Sequence, residues 1–482
     1  MRKTLHVLLF AICILASLTA TSQQVAKARA TALGKGMNLS VWLENEYWFN
    51  STNIYPDVTR YTEADIANLK SLCFNSVRLP VLFEAYAPTQ SPYAFNLANN
   101  NVVAGLNYVD SVIKWCANNN MMLVIDNHIA DDNGSADQTS YQITDNNYVT
   151  QAALIAAVWK QVTTRYGYAN PNEVIFELRN EPNVVSDVNL RTLYQTVIDT
   201  IRQYDQTHTL VVGNSGYYDA IALSQSTPYA DTNIIYTAHI YDGNRFYGFC
   251  EQGTGGVAST DSNSVTPIAF PRPGEITEIN TEMNDVQTWS ETNHVPVWLS
   301  EFGCTTLSDV YHDDTSRCNY INAMAAAINN TGMPWAYWDG YGPDDYVSGY
   351  GNTTPLYYGF SIFDRSNILT AQHLDGCFAS ALQVGGTCTV LPNGIDDLAA
   401  DAWPISLYPN PANNNIEVEF TCAGEAAFSI FDISGKVVYA NVQSVNGTTV
   451  QRIDISSLFS GIYMLEVNAN GQMVRRKFVV IK

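Results

Sequence analysis

Between residues 36 and 338 the chain carries eight short apolar runs, most of them separated by a helical pattern or a long loop. They are Met37 to Ser40, Ser76 to Leu79, Met122 to Asp126, Val174 to Glu177, Thr209 to Gly213, Ile234 to Ala238, Val295 to Ser300 and Pro334 to Trp338. Short apolar runs alternating with helical patterns are the signature of repeated strand and helix units. Eight is the number at which a parallel sheet of this kind closes on itself. The expected fold class is therefore α/β, with a (β/α)8 TIM barrel as the main body. Its helices are legible as well. Thr62 caps a segment with Glu63 and Asp65 in the first turn and with Ile66, Leu69 and Leu72 on one face. Leu106, Val109, Val112 and Ile113 repeat the pattern before the third strand.

At 482 residues the chain exceeds one average domain, whereas a barrel of ~250 to 400 residues leaves room for a small module. Residues 1–22 read as a secretory signal peptide: Arg2 and Lys3, the apolar stretch Leu8 to Ala16, then small residues through Ala20 and Ser22. That stretch is too short for a stable membrane span, and no other approaches ~18 apolar residues, so no transmembrane segment is expected. The barrel domain is placed at 23–386 and a linker at 387–403, containing Pro392, Asn393, Gly394, Asp396 and Asp397. From 404 to 482 short alternating runs follow: Ile416 to Phe420, Ala426 to Phe431, Val437 to Ala440, Val450 to Ile455, Gly461 to Val467 and Met473 to Val480. Turn residues separate them, so a small all-β, immunoglobulin-like sandwich is expected.

The net charge is −22, and beyond Trp403 six bases face six acids, so the excess lies in the barrel. Such a balance excludes nucleic acid and anionic membranes as partners and suits a neutral ligand or a solvated acidic surface. Of nine cysteines, Cys13 lies in the signal, and the rest face an oxidising compartment. Cys377 and Cys388, close together in a Gly-rich segment, suggest a loop staple; Cys73 and Cys116 read as small buried apolar residues.

Two of the strands end in carboxylates. Val174 to Glu177 breaks into Leu178, Arg179, Asn180, Glu181 and Pro182, and Val295 to Ser300 is followed by Glu301. Carboxylates at the C-terminal ends of barrel strands occupy the catalytic face of this architecture. A pair of them, one protonated and one ionised, is what cleaving a glycosidic bond requires, and the retaining scheme places them ~5 to 5.5 Å apart. Arg78, in "NSVRLP", is suited to hold one carboxylate ionised. The long stretch from Tyr241 to about Glu275 follows the sixth strand and reads as a wall of a substrate cleft. Trp298 and Trp335, inside strands, belong to the core, and the pairs Asp131 with Asp132, Asp313 with Asp314 and Asp344 with Asp345 read as solvated loops rather than calcium ligands. No zinc or phosphate-loop signature is present, and "GNSGY" from Gly213 lacks the spacing of a serine-hydrolase elbow. No metal and no cofactor is expected.

From about Gly36 to Asp364 the chain resembles glycoside hydrolase family 5, the cellulase-like retaining β-glycanases. The matching motifs come in order: Gly36 to Ser40 with Trp42 and Glu44; Val77 to Pro80; Asp126, Asn127 and His128; Asn180, Glu181 and Pro182; His239, Ile240 and Tyr241; Glu301, Phe302 and Gly303; Tyr337 and Trp338. The resemblance implies Glu181 as acid/base and Glu301 as nucleophile. It implies that Asn180 holds the hydroxyl beside the attacked carbon, that Arg78 and Tyr241 orient Glu301 and keep it charged, and that His128 and His239 hold hydroxyls and tune Glu181. Trp338 becomes the stacking floor at the cleavage point, with Trp42, Glu44, Tyr47 and Trp48 extending it. Two positions depart from the family pattern: Ile129 stands where many members carry a polar or aromatic group, and Cys73 stands where relatives usually have a helix-ending glycine.

The tail from about Pro404 resembles the C-terminal sorting domain of type IX secretion, through Tyr408, Pro409, Asn410 and Pro411, then Gly435, then Leu458, Gly461 and Tyr463. Together the two resemblances imply a secreted or cell-surface, monomeric retaining hydrolase of β-glucan or a related plant polysaccharide. An endo-β-1,4-glucanase is the first reading, and an endo-β-mannanase or a β-1,3- or exo-glucanase the alternative. A non-catalytic carbohydrate-binding surface protein is the reading of a different class; it would be expected to lack one of the two glutamates, and both are present.

Overall fold

The computed structural model describes residues 23–40, 42–44, 61–87, 90–128, 141–241, 270–304, 314–338, 363, 374–385, 405–409, 412–431, 437–459, 461–469, 472–480 and 482. The expected signal peptide and linker, Tyr47, Trp48, Ile129, the interior of the stretch after Tyr241 and the paired aspartates from 131 to 345 (of Asp314 only the backbone is described) lie outside the described residues. The chain divides into two compact units, 1–391 and 392–482.

The first unit is the expected closed barrel, with all eight strands parallel and in sequence order. The strands are β1 (Lys35–Asn38), β2 (Ser76–Val81), β3 (Met122–Asn127), β4 (Val174–Glu177), β5 (Leu210–Val212), β6 (Ile234–His239), β7 (Val297–Glu301) and β8 (Trp335–Tyr337). Closure comes from β8 pairing with β1. Helices cover the outside, among them Glu63–Ser71, Asn100–Asn118, Tyr148–Tyr166, Asp187–Tyr204, Glu275–Asn293 and Asp314–Thr331. Thr62 closes a capping box with Asp65, whose carboxylate accepts from the Thr62 backbone N–H at 2.8 Å. Cys73 takes φ +74, the left-handed conformation that favours glycine at a helix end.

What positions the site is a change of chemistry along the barrel axis. Side chains two apart on a strand point the same way. Met122, Val124, Ile175, Val211, Ile235, Trp298 and Ala336 pack with Ala30 and Leu33 of the helix 23–33 as one apolar cluster. One step further along four of these strands, Val124 gives way to Asp126, Ile175 to Glu177, Ile235 to Thr237 and Trp298 to Ser300, all fully buried. The polar layer therefore rests on a buried apolar plug. Trp298 and Trp335 are buried, as their strand positions require.

Two cysteine expectations are overturned. Cys377 is bonded to Cys318 rather than to Cys388, a loop of 59 residues that ties helix Asp314–Thr331 to the short helix Gly376–Ala381. Cys73 is disulfide-bonded instead of a buried thiol, whereas Cys116 is buried and free. Proximity in sequence misled because helix packing brings together residues far apart in the chain.

The second unit is all-β and antiparallel: β9 (Ile405–Tyr408), β10 (Asn415–Phe431), β11 (Val437–Asp454), β12 (Gly461–Ala469) and β13 (Gln472–Val480). Two pairs of expected runs fuse into long strands, since β10 and β11 pair from Asn415 with Asp454 up to Phe431 with Val437. The reason lies in the alternation. Ile416, Val418, Phe420, Ala426, Phe428 and Ile430 are all buried and all in one phase, so β10 turns the same face inward on either side of the exposed Gly424.

Candidate active site

Arg78 occupies the centre of the polar layer and is fully buried. Its Nε and Nη2 donate to the two oxygens of Glu177 at 2.7 and 2.8 Å, a bidentate pair. Nη1 reaches Glu301 Oε1 at 2.5 Å and Asn38 Oδ1 at 3.0 Å, and Nη2 also donates to Asn180 Oδ1 at 2.8 Å and lies 2.9 Å from Asp126. One guanidinium thus faces three buried carboxyl groups. Burial pushes both Asp126 and Glu177 up to about 7 against the pull of Arg78. Asp126 spends its other contact on His128 Nδ1, 2.7 Å away. Asn38 and Asp126 lie within the quoted motifs and Glu177 ends the fourth run, yet the sequence reading assigned none of them a role; the signal for that role was a polar residue in phase with apolar ones along a strand.

Glu301 closes β7 with its side chain 4% exposed. Tyr241, half-buried, donates to its Oε2 at 2.6 Å while Arg78 holds Oε1. Burial raises the Glu301 carboxyl, while His239 and Arg78 pull it back. Two donors on the two oxygens favour the anion once formed.

Glu181 follows β4 through a sharp turn and sits at φ +43, a conformation sparsely used by residues with a side chain. The turn is anchored beneath it. Arg179 is fully buried against Glu84 at 3.2 Å, and its carbonyl accepts from the hydroxyls of Tyr194 and Tyr218. Glu181 keeps its side chain 19% exposed and meets His239 Nδ1. A carboxylate oxygen of Glu181, a ring nitrogen of His239 and a carboxylate oxygen of Glu301 all lie within 4.8 Å of one another, so the two carboxyl groups face each other at the C-terminal ends of the strands.

Asn180 is 1% exposed with its Nδ2 3.4 Å from His128 Nε2. The His128 ring stacks on Trp338, centroids 5.5 Å apart and planes 12° off parallel, and Trp338 is half-buried. Both histidines are driven down by burial, His128 to about 4 and His239 to about 3. The structure therefore gathers Arg78, His128, Asn180, Glu181, His239, Tyr241, Glu301 and Trp338 at one end of the barrel. It does not gather Trp42, which is 2% exposed and packs at 5.6 and 5.1 Å on the rings of Tyr61 and Tyr108. Trp42 is therefore a core residue rather than the expected sugar platform, its ring enclosed by those of Tyr61 and Tyr108. Glu44 folds back on that turn, accepting from the Trp42 backbone N–H at 3.0 Å.

The arrangement offers one carboxyl group held by cationic and phenolic donors, a second held by a neutral imidazole, and an amide and an aromatic face beside them. Comparison with known proteins gives the same direction. A family model described as cellulase, glycosyl hydrolase family 5, matches residues 29–342, and one for a secretion system C-terminal sorting domain matches residues 406–482. The chain is 29% identical over 365 residues to Endoglucanase 3 of Fibrobacter succinogenes, covering 67% of this chain and 51% of the relative. It is 33% identical over 158 residues to a glucan 1,3-beta-glucosidase of Candida oleophila, covering 30% of this chain and 34% of the relative. The chain thus spans about half the length of the first relative and a third of the second. Among solved structures, an endoglucanase of Thermotoga maritima superposes with a TM-score of 0.56 at 22% identity, over 74% of this chain and 99% of that one, a likeness of fold.

Proposed function

Since the chain belongs to glycosyl hydrolase family 5, we propose that it is an exported, endo-acting, retaining β-1,4-glucanase. The observation that carries the reading is the approach of Glu181 and Glu301 to within 4.8 Å across the mouth of the barrel. An approach this close between carboxylate oxygens favours a retaining pair over the ~6.5–9.5 Å of an inverting one. Glu301, ionised between Arg78 and Tyr241, attacks the anomeric carbon. Glu181 gives its proton to the departing oxygen and later takes one from the water that releases the sugar. Asn180 Nδ2 is placed to donate to the hydroxyl next to the reacting carbon, a contact that gains strength as positive charge develops there. The open face of Trp338 suits the C–H face of a pyranose.

The sorting module matched at 406–482 supports export by the type IX route, to the medium or the cell surface. The resemblance to a 1,3-beta-glucosidase over 158 residues keeps β-1,3-glucan as a second substrate class. The test is release of reducing ends from carboxymethylcellulose, lichenan, glucomannan, xyloglucan and laminarin by the full chain beside Glu301→Gln. Hydrolysis of the β-1,4-glucans, lost in the variant, supports the reading. Hydrolysis of laminarin or glucomannan alone reassigns the substrate. Binding without hydrolysis of any polymer overturns the enzyme in favour of a sugar-binding surface protein.

A further inference from the structure

The strand pair that carries His239 and Glu301 slips by one residue at its end. β6 and β7 pair Tyr236 with Val297, Thr237 with Trp298 and Ala238 with Leu299, and then His239 with Glu301, so Ser300 is the extra residue. Such bulges re-aim side chains next to active sites. Here the slip lets two neighbours serve the site together: Glu301 faces the cleft, and Ser300 Oγ lies 2.8 Å from His239 Nε2. Asn38 pins the bulge, its Nδ2 donating to the Ser300 carbonyl at 3.0 Å.

Behind His239 the hydrogen bonds form a chain with one possible direction. Thr237 Oγ1 donates to the carbonyl of Trp298 at 2.8 Å, and that carbonyl can only accept. Having spent its single proton there, Thr237 accepts from Ser300 Oγ at 2.6 Å. Ser300, its own proton spent on Thr237, must accept from His239 Nε2. Thr237 and Ser300 are fully buried, and His239 is 7% exposed. Run the other way, the chain leaves the Thr237 and Trp298 oxygens 2.8 Å apart with no proton between them. We propose that Thr237 and Ser300 are positioning residues that fix His239 as the Nε2–H tautomer, so that its bare Nδ1 faces Glu181 and requires the proton of that contact to sit on the glutamate.

The inference rests on the reading of Glu181 as the acid. His239 meets Glu181 from the turn after β4, Glu301 of β7 at 3.5 Å and the edge of Tyr218 from the segment after β5, centroids 5.0 Å apart, and it feels the charges of Arg78 on β2 and of His128 just after β3. Burial first, with Arg78 and His128, drives the imidazole down to about 3 against the pull of Glu301, so the ring is neutral and carries one N–H. The proton balance follows. In the first step the Glu181 proton passes to the glycosidic oxygen as the bond from that oxygen to the anomeric carbon breaks and the bond to Glu301 forms. The Glu181 carboxylate is then left against a lone pair instead of a donor, which makes it a better base. In the second step it takes a proton from water, whose oxygen bonds the anomeric carbon and frees Glu301.

Thr237→Val keeps the shape and removes the relay's end, which frees the Ser300 proton to turn toward His239 and invert the tautomer. The expected result is a basic limb of the pH profile of kcat/KM moved down by about one unit or more, a tenfold loss above it. The acid limb stays in place, dinitrophenyl glycosides, whose leaving group needs no acid, react as before, and Thr237→Ser restores the wild-type profile. A uniform loss at every pH, with the limb unmoved, overturns the relay. Histidine-selective 15N NMR of the wild-type chain reads the tautomer without any catalysis, the signal assigned by its loss in His239→Gln. A protonated Nε2 with a bare Nδ1 supports the relay even if no glucan is cleaved, in which case only the hydrolase reading fails; a protonated Nδ1 overturns the relay even in an active enzyme.

Discussion

Tyr241→Phe isolates one contact on the proposed nucleophile. The substitution keeps the ring and deletes only the hydroxyl that donates to Glu301 Oε2 at 2.6 Å. Arg78 remains on the other oxygen. A hydrogen bond to a charged group contributes ~1.5–3 kcal/mol, and 1.36 kcal/mol corresponds to about one pH unit. The anion of Glu301 is what the phenol stabilises, so its loss makes Glu301 harder to ionise. The expected shift is upward by about one to two units, nearer one because Tyr241 is half-buried. The acid limb of kcat/KM, which reports ionisation of the free enzyme's base, should move up by that amount. At a pH below both limbs the variant should lose roughly 10- to 100-fold, whereas on the plateau the loss should be smaller, since a more basic carboxylate is also a better nucleophile. The assay is the pH profile of initial rates on a soluble oligosaccharide, with thermal unfolding as a control for the fold. A plateau that drops while the acid limb stays fixed would refute the reasoning and assign Tyr241 to substrate positioning alone.

Other outcomes follow from the same contacts. Glu181→Ala should slow natural glycans by ~10²-fold or more while sparing substrates with activated leaving groups, because general acid catalysis contributes ~10² to 10⁴ only where the leaving oxygen needs a proton; comparison of the two substrate classes checks it. Asp126→Asn should gain stability relative to wild type as pH rises from 4 to 8. Burial lifts Asp126 from 3.8 to about 7, so its favourable, protonated contribution is complete below 3.8 and lost as pH rises through 7. Asparagine stays neutral throughout, and the difference should reach a few kcal/mol by that linkage; parallel stability curves would reject it. His128 and His239, driven down to about 4 and about 3, act in the opposite sense and lose their contribution as pH falls below 6.5. Paired Cys318→Ser and Cys377→Ser changes should lower stability by about 4 kcal/mol for a closed loop of 59 residues, with the rate at low temperature unchanged; a loss of activity without a fall in Tm would contradict that.

Strand ends were the most legible part of the chain, because a carboxylate, histidine or arginine that interrupts an apolar run has few structural reasons to be there. Glu181, Glu301, Arg78, His128 and His239 stood out for that reason and meet at one end of the barrel. Inside the strands the signal was weaker. Thr237 and Ser300 are small and compatible with a buried strand, and their importance depends on the slip between β6 and β7, which no pattern of residues announces. Trp42 was misread because an aromatic after a strand can turn to either side, and packing against Tyr61 and Tyr108 decides which. The partner of Cys377 was hidden because disulfides follow distance in space, and helix packing sets that distance. In the tail, Gly424 and Gly447 look like turns, yet β10 and β11 run through both at positive φ.

In the proposed mechanism Glu301 forms a covalent bond to the sugar while Glu181 supplies and removes the proton. The direct measurement is mass spectrometry of peptides from enzyme treated with a 2-deoxy-2-fluoro glycoside of cellobiose bearing a reactive leaving group, which allows the first step and stalls the second. The expected result is one fluorocellobiosyl group per chain, on the peptide containing Glu301, and none on the Glu301→Gln variant. A label on another residue, or a turnover with no trapped intermediate and a product of inverted anomeric configuration, would contradict it.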